Sequence, residues 1–483
     1  MATALIFSLC LIASLFVFHG LAQVELPQQQ LFQSLQTQQQ HRLRAKTSCR
    51  IQQLGARKPS RRNEYEAGSI EFWDSESEEF ECAGVEIVRH TIQPKGLLLP
   101  YYINTPQLVY IIQGSGIQGT VIPGCAETYD SGSSYSASEE EQEQERRKTD
   151  RHQKVRRYRQ GDILALQPGI TQWSYNDGDT PIVSVSIRDV ASEANQLDLK
   201  SRKFSLAGNP RATRRERTEH GSRRGEEQEE KSNVFSGFDE ELLAEALNVN
   251  PETVRKMQAA EDDRGAIVRA ERLSLVLPEW GRQERERGQE EQGGKSGYNG
   301  LEETICSLRI RQNIDHPSRA DVYNPRAGRI TRLNSNKLPI LNYLRLGADR
   351  GVLYKNAMMA PHWSINSHTI MYVIRGSARI QVVGNQGKTV FDEEIREGQL
   401  LIVPQNFASV KRAGEQGFEW VAFRTNDNAM VSQLAGRMSA LRSMPEEVLM
   451  NAYGISREDA RSLKYERDET TLLSPGSRSG RYA

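Results

Sequence analysis

Apolar and polar residues alternate in short runs bounded by Gly and Pro along most of the chain. Leu108–Gln113, Ile182–Ile187, Ile340–Leu346, Ser377–Val383 and Trp420–Arg424 have the two-residue period of strands with one buried face. In two places, Phe238 to Met257 and Met444 to Leu463, the period lengthens to that of a helix. Each of these begins with acidic residues, which complement the positive end of the helix dipole. Many short strands with two small helical modules make a mainly β architecture.

The pattern occurs twice. Leu99–Gly114 aligns without gaps on Pro361–Gly376, Gln160–Leu166 on Glu397–Val403, and Phe238–Leu247 on Met444–Tyr453. The separation of matched positions falls from 262 to 237 to 206 residues, so the first half carries insertions. They lie at about 127–154 and 208–232; with Trp280–Lys295 they are charged and poor in apolar residues. Such composition cannot offset the entropy of ordering, and disordered surface loops are expected there. Duplicated strands with a helical module behind each set predict two β-barrels or jelly rolls, each followed by helices.

Composition adds compartment and partners. Met1–Ala22 has no charge, an apolar centre and the small-residue ending Gly20-Leu21-Ala22, the pattern of a secretory signal peptide cut between Ala22 and Gln23. No basic stop-transfer cluster follows, so no membrane association is expected once it is removed. Loss of Cys10 leaves Cys49, Cys82, Cys125 and Cys306, which in an oxidising compartment suggest two disulfides, with three pairings open. No CxxC pair is present, which disfavours a zinc site. The remaining length, roughly 460 residues, exceeds what one core serves, and two domains are expected.

Basic and acidic residues number 63 each, but they are unevenly placed: Met1–Asn299 carries 38 basic and 44 acidic, Gly300–Ala483 25 and 19. No concentrated basic stripe stands out, which argues against nucleic acid as a partner. Of the basic residues 48 are Arg, the nitrogen-rich choice, and Gln is abundant from Gln23 to Gln53.

One stretch organises the rest. Asn299-Gly300-Leu301-Glu302-Glu303-Thr304-Ile305-Cys306 closes a charged, Gly-rich segment and opens the second strand-rich half. Asn-Gly is a turn dipeptide, but the polar context makes it an accessible site for a protease. The duplicated barrel with a turn glycine ending each first motif resembles the cupin superfamily. The Asn299-Gly300-x-Glu302-Glu303-Thr304-x-Cys306 pattern is similar to that of the 11S globulin, or legumin, seed storage proteins, and the resemblance covers nearly all of the mature chain.

The resemblance implies a bicupin of two jelly-roll barrels: a signal peptide at 1–22, an acidic chain at 23–299 with the N-terminal barrel, and a basic chain at 300–483 with the C-terminal one. It implies cleavage between Asn299 and Gly300 by an asparaginyl endopeptidase. It further implies disulfides Cys49–Cys82 and Cys125–Cys306, the second holding the two products together. Trimers and then hexamers, homo- or hetero-oligomers with related globulins, and residence in a seed storage vacuole follow from the same resemblance. The helical modules are the expected trimer contacts, because an amphipathic helix must bury its apolar face.

Enzymes of the superfamily place two histidines and a glutamate in the first motif and a third histidine in the second, holding a metal with open positions. Those slots fall on Pro100, Tyr102, Gln107 and Gln172 in the first half and on His362, Ser364, Thr369 and Ser409 in the second. With one imidazole among eight positions, no metal, cofactor or catalytic residue is expected, and nearby His368 does not change that. Gly114-Ser-Gly116-Ile-Gln-Gly119 matches a dinucleotide fingerprint, but strand-like sequence follows in place of a helix, and a hairpin turn is expected instead. A nutrient reservoir is the leading reading; a metal-dependent cupin enzyme and a small-ligand-binding bicupin are the alternatives.

Overall fold

A computed structural model describes residues 49, 51–127, 129–130, 151–153, 155–209, 233–258, 262–271, 273 and 306–475. Asn299, Gly300, Ala22, Gln23 and most of the three charged segments lie outside the described residues.

Two antiparallel jelly rolls account for the strands. In the first, one sheet runs in the order Arg61–Tyr65, Gly68–Phe72, Val85–Ile92, Ile182–Asp189, Gln107–Gln113, Asp162–Leu166, Arg311–Asn313. The facing sheet runs Lys203–Ser205, Gly96–Ile103, Thr171–Tyr175, Ser115–Val121, Val155–Arg159, with Ile267–Arg269 added alongside Gly96–Ile103. In the second, Thr369–Val383 and Ala408–Arg424 are single long strands that pair along most of their length.

Gly114 marks a corner of the first barrel. It ends one strand at φ +85° and the next strand pairs in the other sheet, so the chain turns a sheet corner there rather than a hairpin. The expected hairpin at Gly114–Gly119 is therefore wrong, although strand follows as read. Gly376, its counterpart, has φ +76°, and a Cβ there would meet the Gly417 carbonyl at 2.2 Å, so only glycine fits the bend.

The segment Ile340–Leu346 is not a strand. Leu341–Leu344 forms one helical turn closed by Arg345 at φ 56°, and the strand begins at Gly347. Ile340, Leu341 and Leu344 are all buried, a spacing of one, three and four that suits a helix face. A short apolar run cannot be assigned by period alone, and here the helical solution won.

Both helical modules form. Glu240–Leu247 is capped by Asp239, which accepts from the N–H groups of Glu241 and Leu242, and Pro251–Gln258 packs beside it. Glu446–Tyr453 is followed by Arg457–Tyr465, capped by Ser456. Ala244, Val254, Leu449 and Ala460 face inward, whereas Phe238, Leu242, Leu247, Val448, Tyr453 and Leu463 are exposed.

The halves exchange edges. Arg311–Asn313, beyond the Asn299 position in sequence, pairs with Asp162–Leu166 of the first barrel. The contact is charge-assisted: Arg311 Nη1 lies 3.0 Å from Asp162 Oδ2, and Asn313 Nδ2 donates to Asp162 Oδ1 at 2.9 Å. In the reverse direction Leu54 N donates to the Val390 carbonyl, and Arg57 exchanges two backbone hydrogen bonds with Leu400 of the second barrel. Between the barrels the core is continuous, with Trp73 edge-on to Tyr372 and Arg89 Nη1 donating to the Tyr372 hydroxyl at 3.0 Å.

Candidate functional site

The barrel interiors are where a jelly roll of this kind would hold a ligand. Strand register shows which residues face them. Tyr101 pairs with Gln172 in the first barrel, and His362 pairs with Ser409 in the second. Gln172 and Ser409 are counterparts, so Tyr101, not Pro100, stands where His362 does, and Ile103 stands where Ser364 does.

The gapless alignment places Pro100 and Tyr102 in those slots because it ends on the matched glycines. Three residues separate Ile103 from Gln107, four separate Ser364 from Thr369, and a slip of one residue turns a strand's faces over. Tyr102 instead stacks on Phe204 at 4.9 Å. Gln107 and Gln172 do face the interior, as do His362, Ser364, Thr369 and Ser409, all buried.

The second interior is filled and cationic. His362 directs Nδ1 to the Ala360 carbonyl at 2.8 Å. Burial, then the nearby Lys411, holds its pKa well below the ordinary histidine value. Arg424 binds the Asp349 carboxylate through Nε at 2.8 Å and Nη2 at 2.6 Å, and donates from Nη1 to Ser364 Oγ at 2.8 Å and to Thr369 Oγ1. Lys411 is buried, its Nζ 3.8 Å from Met359 Sδ; burial, then Arg424, pushes its amine down to about 7. An imidazole between two cationic side chains is a poor seat for a metal ion. His368 accepts from Gln405 N at 3.2 Å. Among the described residues no group of three or more His, Cys, Asp and Glu side chains could hold a metal.

The first interior is polar and not filled. A cavity of about 30 Å³ is lined by His90, Tyr101, Gln107, Gln118, Gln172 and Ser184, among others. Register relates it to the second barrel: Ser184 pairs with Ile111 as Trp420 pairs with Val373, and His90 faces Ser184 as Gly351 faces Trp420. A large-to-small exchange has occurred across that pair. The Trp420 ring lies where a Cβ on Gly351 would come within 2.0 Å of it, so Gly351 makes the ring's room. Where Trp420 fills the second barrel, Ser184 leaves the first open.

Sequence reading did not find His90, Arg188, Lys203, Asp349, Lys411 or Arg424. Each is one charged or polar residue in an otherwise strand-like run, and only pairing shows that its face is the inner one.

The cysteines complete the geometry. Cys49 is bonded to Cys82 on the helix Glu78–Ala83, with Cα atoms 4.8 Å apart, and Cys125 to Cys306, with Cα atoms 5.5 Å apart across 181 residues.

Two jelly rolls in tandem, with helical modules behind them and no metal-ligand cluster among the described residues, define a bicupin. The family described as Cupin matches residues 54–217 and 312–461. The 11S globulin seed storage protein 1 of Carya illinoinensis is 49% identical over 476 residues, 92% of this chain and 93% of its own. The 11S globulin subunit beta of Cucurbita maxima is 48% identical over 476 residues, 98% of both chains. The crystal structure of coconut cocosin superimposes with a TM-score of 0.76 at 46% identity, covering 89% of this chain and all of that one. An 11S globulin structure from Wrightia tinctoria, described as revealing an auxin binding site, has a TM-score of 0.76 at 39% identity and covers 89% of this chain and 97% of that one. The chain belongs to the 11S globulins, a family of cupin proteins whose named members are seed storage proteins.

Proposed function

We propose that this protein is a seed nutrient reservoir, made as a precursor on the secretory route and kept in a storage vacuole. The observation that carries this reading is near-half identity over more than nine-tenths of the chain to 11S globulins, one of them named as a seed storage protein. The interiors support it, because the superfamily's ligand slots hold Tyr101, Ile103, Gln107 and Gln172 in one barrel and a lone imidazole among cations in the other.

Processing belongs to the same proposal. The signal peptide is removed between Ala22 and Gln23, and an asparaginyl endopeptidase cuts between Asn299 and Gly300. Cleavage divides the chain into an acidic and a basic piece, which Cys125–Cys306 keeps covalently joined. The exposed apolar faces around Leu242 and Val448 are the surfaces on which copies join into trimers, and cleavage licenses hexamers. N-terminal sequencing and sizing of seed-derived material test this: chains starting at Gln23 and Gly300 in a hexamer are expected. An uncut chain, or a cut elsewhere, overturns the assignment.

A ligand-binding reading draws on the Wrightia tinctoria structure and its auxin site. The first-barrel cavity here, about 30 Å³, holds roughly two waters. Sites for ligands of that size class run to several hundred Å³, so an indole-sized molecule does not enter this barrel.

A further inference from the structure

We infer that the N-terminal barrel binds a small monovalent anion, of the size of chloride or bromide, between Gln107, Gln172 and Arg188. Gln107 is 1% exposed and Gln172 2% exposed; both line the cavity, the Nε2 of Gln172 has no acceptor, and Gln107 has only the nearby Tyr101 hydroxyl as a side-chain partner. Arg188, 5% exposed, stands opposite Gln107 in the strand register, on the same strand face as the cavity-lining Ser184 and Ser186. Its Nε also lacks an acceptor, its Nη1 reaches only Ser201 Oγ at 3.4 Å, and it forms no ion pair among the described residues. Every unmet group named here is a donor.

Charge decides between water and an anion. A buried guanidinium calls for a counter-charge, and water supplies none. The cation has company: the Lys203 ammonium sits 4.2 Å over the Tyr101 ring, although that residue as a whole is partly exposed. Burial, then Arg188, lowers the pKa of both Lys203 and His90. The second barrel shows what an arginine at this position requires. Arg424, paired with Thr369 as Arg188 is with Gln107, is met by the Asp349 carboxylate; the first barrel has Val88 at that place, and Glu86, opposite Arg188 on the neighbouring strand, accepts from Ser201 N at 2.8 Å and forms no ion pair with Arg188. The anion takes the carboxylate's role, and the cavity, about 30 Å³, gives it room for a small ion.

Bromide is the probe. Crystals of the full chain transferred to sodium bromide are expected to show an anomalous peak in the cavity, within hydrogen-bond distance of both glutamine Nε2 atoms. Bromine NMR in solution is expected to show line broadening that chloride reverses. In Gln107→Leu with Gln172→Leu that binding weakens roughly tenfold or more. Water alone in the cavity, or bromide peaks confined to the surface, overturns the inference. So does unchanged broadening in a double variant that keeps its circular dichroism. The crystal experiment needs no variant, so a variant that fails to fold leaves the question decidable.

Discussion

Arg188 and Arg424 occupy the same place in two copies of one barrel, yet their surroundings have diverged. Around Arg424 the chain supplies a carboxylate from Asp349, two hydroxyl acceptors and the packed ring of Trp420. On the strand face of Arg188 the first barrel has Gln107 opposite it and a small serine, Ser184, in place of the tryptophan, beside a cavity. A duplicated fold fixes where a residue points; it does not fix whether that residue is satisfied from within. The C-terminal barrel meets Arg424 with its own carboxylate, and the N-terminal barrel leaves Arg188 without an ion pair among the described residues.

The largest test of this contrast is to give the second barrel the first one's hole. Trp420→Ser removes a ring that is 3% exposed and packed against Gly351 and Phe418, and is expected to cost about 3–5 kcal/mol in urea unfolding. A loss below about 1 kcal/mol would mean that the site collapses, and that the two interiors are less different than their registers imply.

Next come the charges. Asp349→Ala strands Arg424 and is expected to cost about 3 kcal/mol, whereas Val88→Ala in the first barrel, which removes no charge, costs about half that. Lys411→Met acts in the opposite direction. The folded chain holds Lys411 at about 7 against an ordinary 10.5, so between those values only the unfolded chain is protonated and stability rises with pH; below about 7 the full penalty of a buried charge is present. The methionine variant is expected to gain about 2 kcal/mol at pH 7 and to lose part of the rise toward pH 10. Lys203, also pushed down to about 7, retains the remainder of the slope. Urea midpoints across that range check it; no gain at pH 7 would show that the amine has a counter-charge.

The smallest effect concerns the exchanged edges. With Arg311–Asn313 built into the first barrel and Leu54–Arg57 seated on the second, reduction of Cys125–Cys306 after a cut at Asn299 is expected to leave the pieces together in native sizing and to part them only in denaturant. Separation on reduction alone would make the disulfide the sole tether and the edge exchange incidental.

The sequence by itself determined much of this protein. The repeat, most of its strands and both helical modules were legible, because each depends on local period and composition. Ile340–Leu346 has the pattern of a strand but forms a helical turn, since a short apolar run suits both equally well. The sequence marks a turn at Gly114 but not the strands that pair on either side of it, and these make it a sheet corner in place of a hairpin.

Only the tertiary structure decided which residues look inward. One extra residue between Ser364 and Thr369 shifts the strand before it, and a period of two converts that shift into a change of face. Counter-charges, cavities and exchanged edges are relations between strands far apart in the chain: Asp349 meets Arg424 across 75 residues, and Gly351 makes room for a ring 69 residues away. No local pattern records such pairs, because the free energy that selects them arises only when the sheets close.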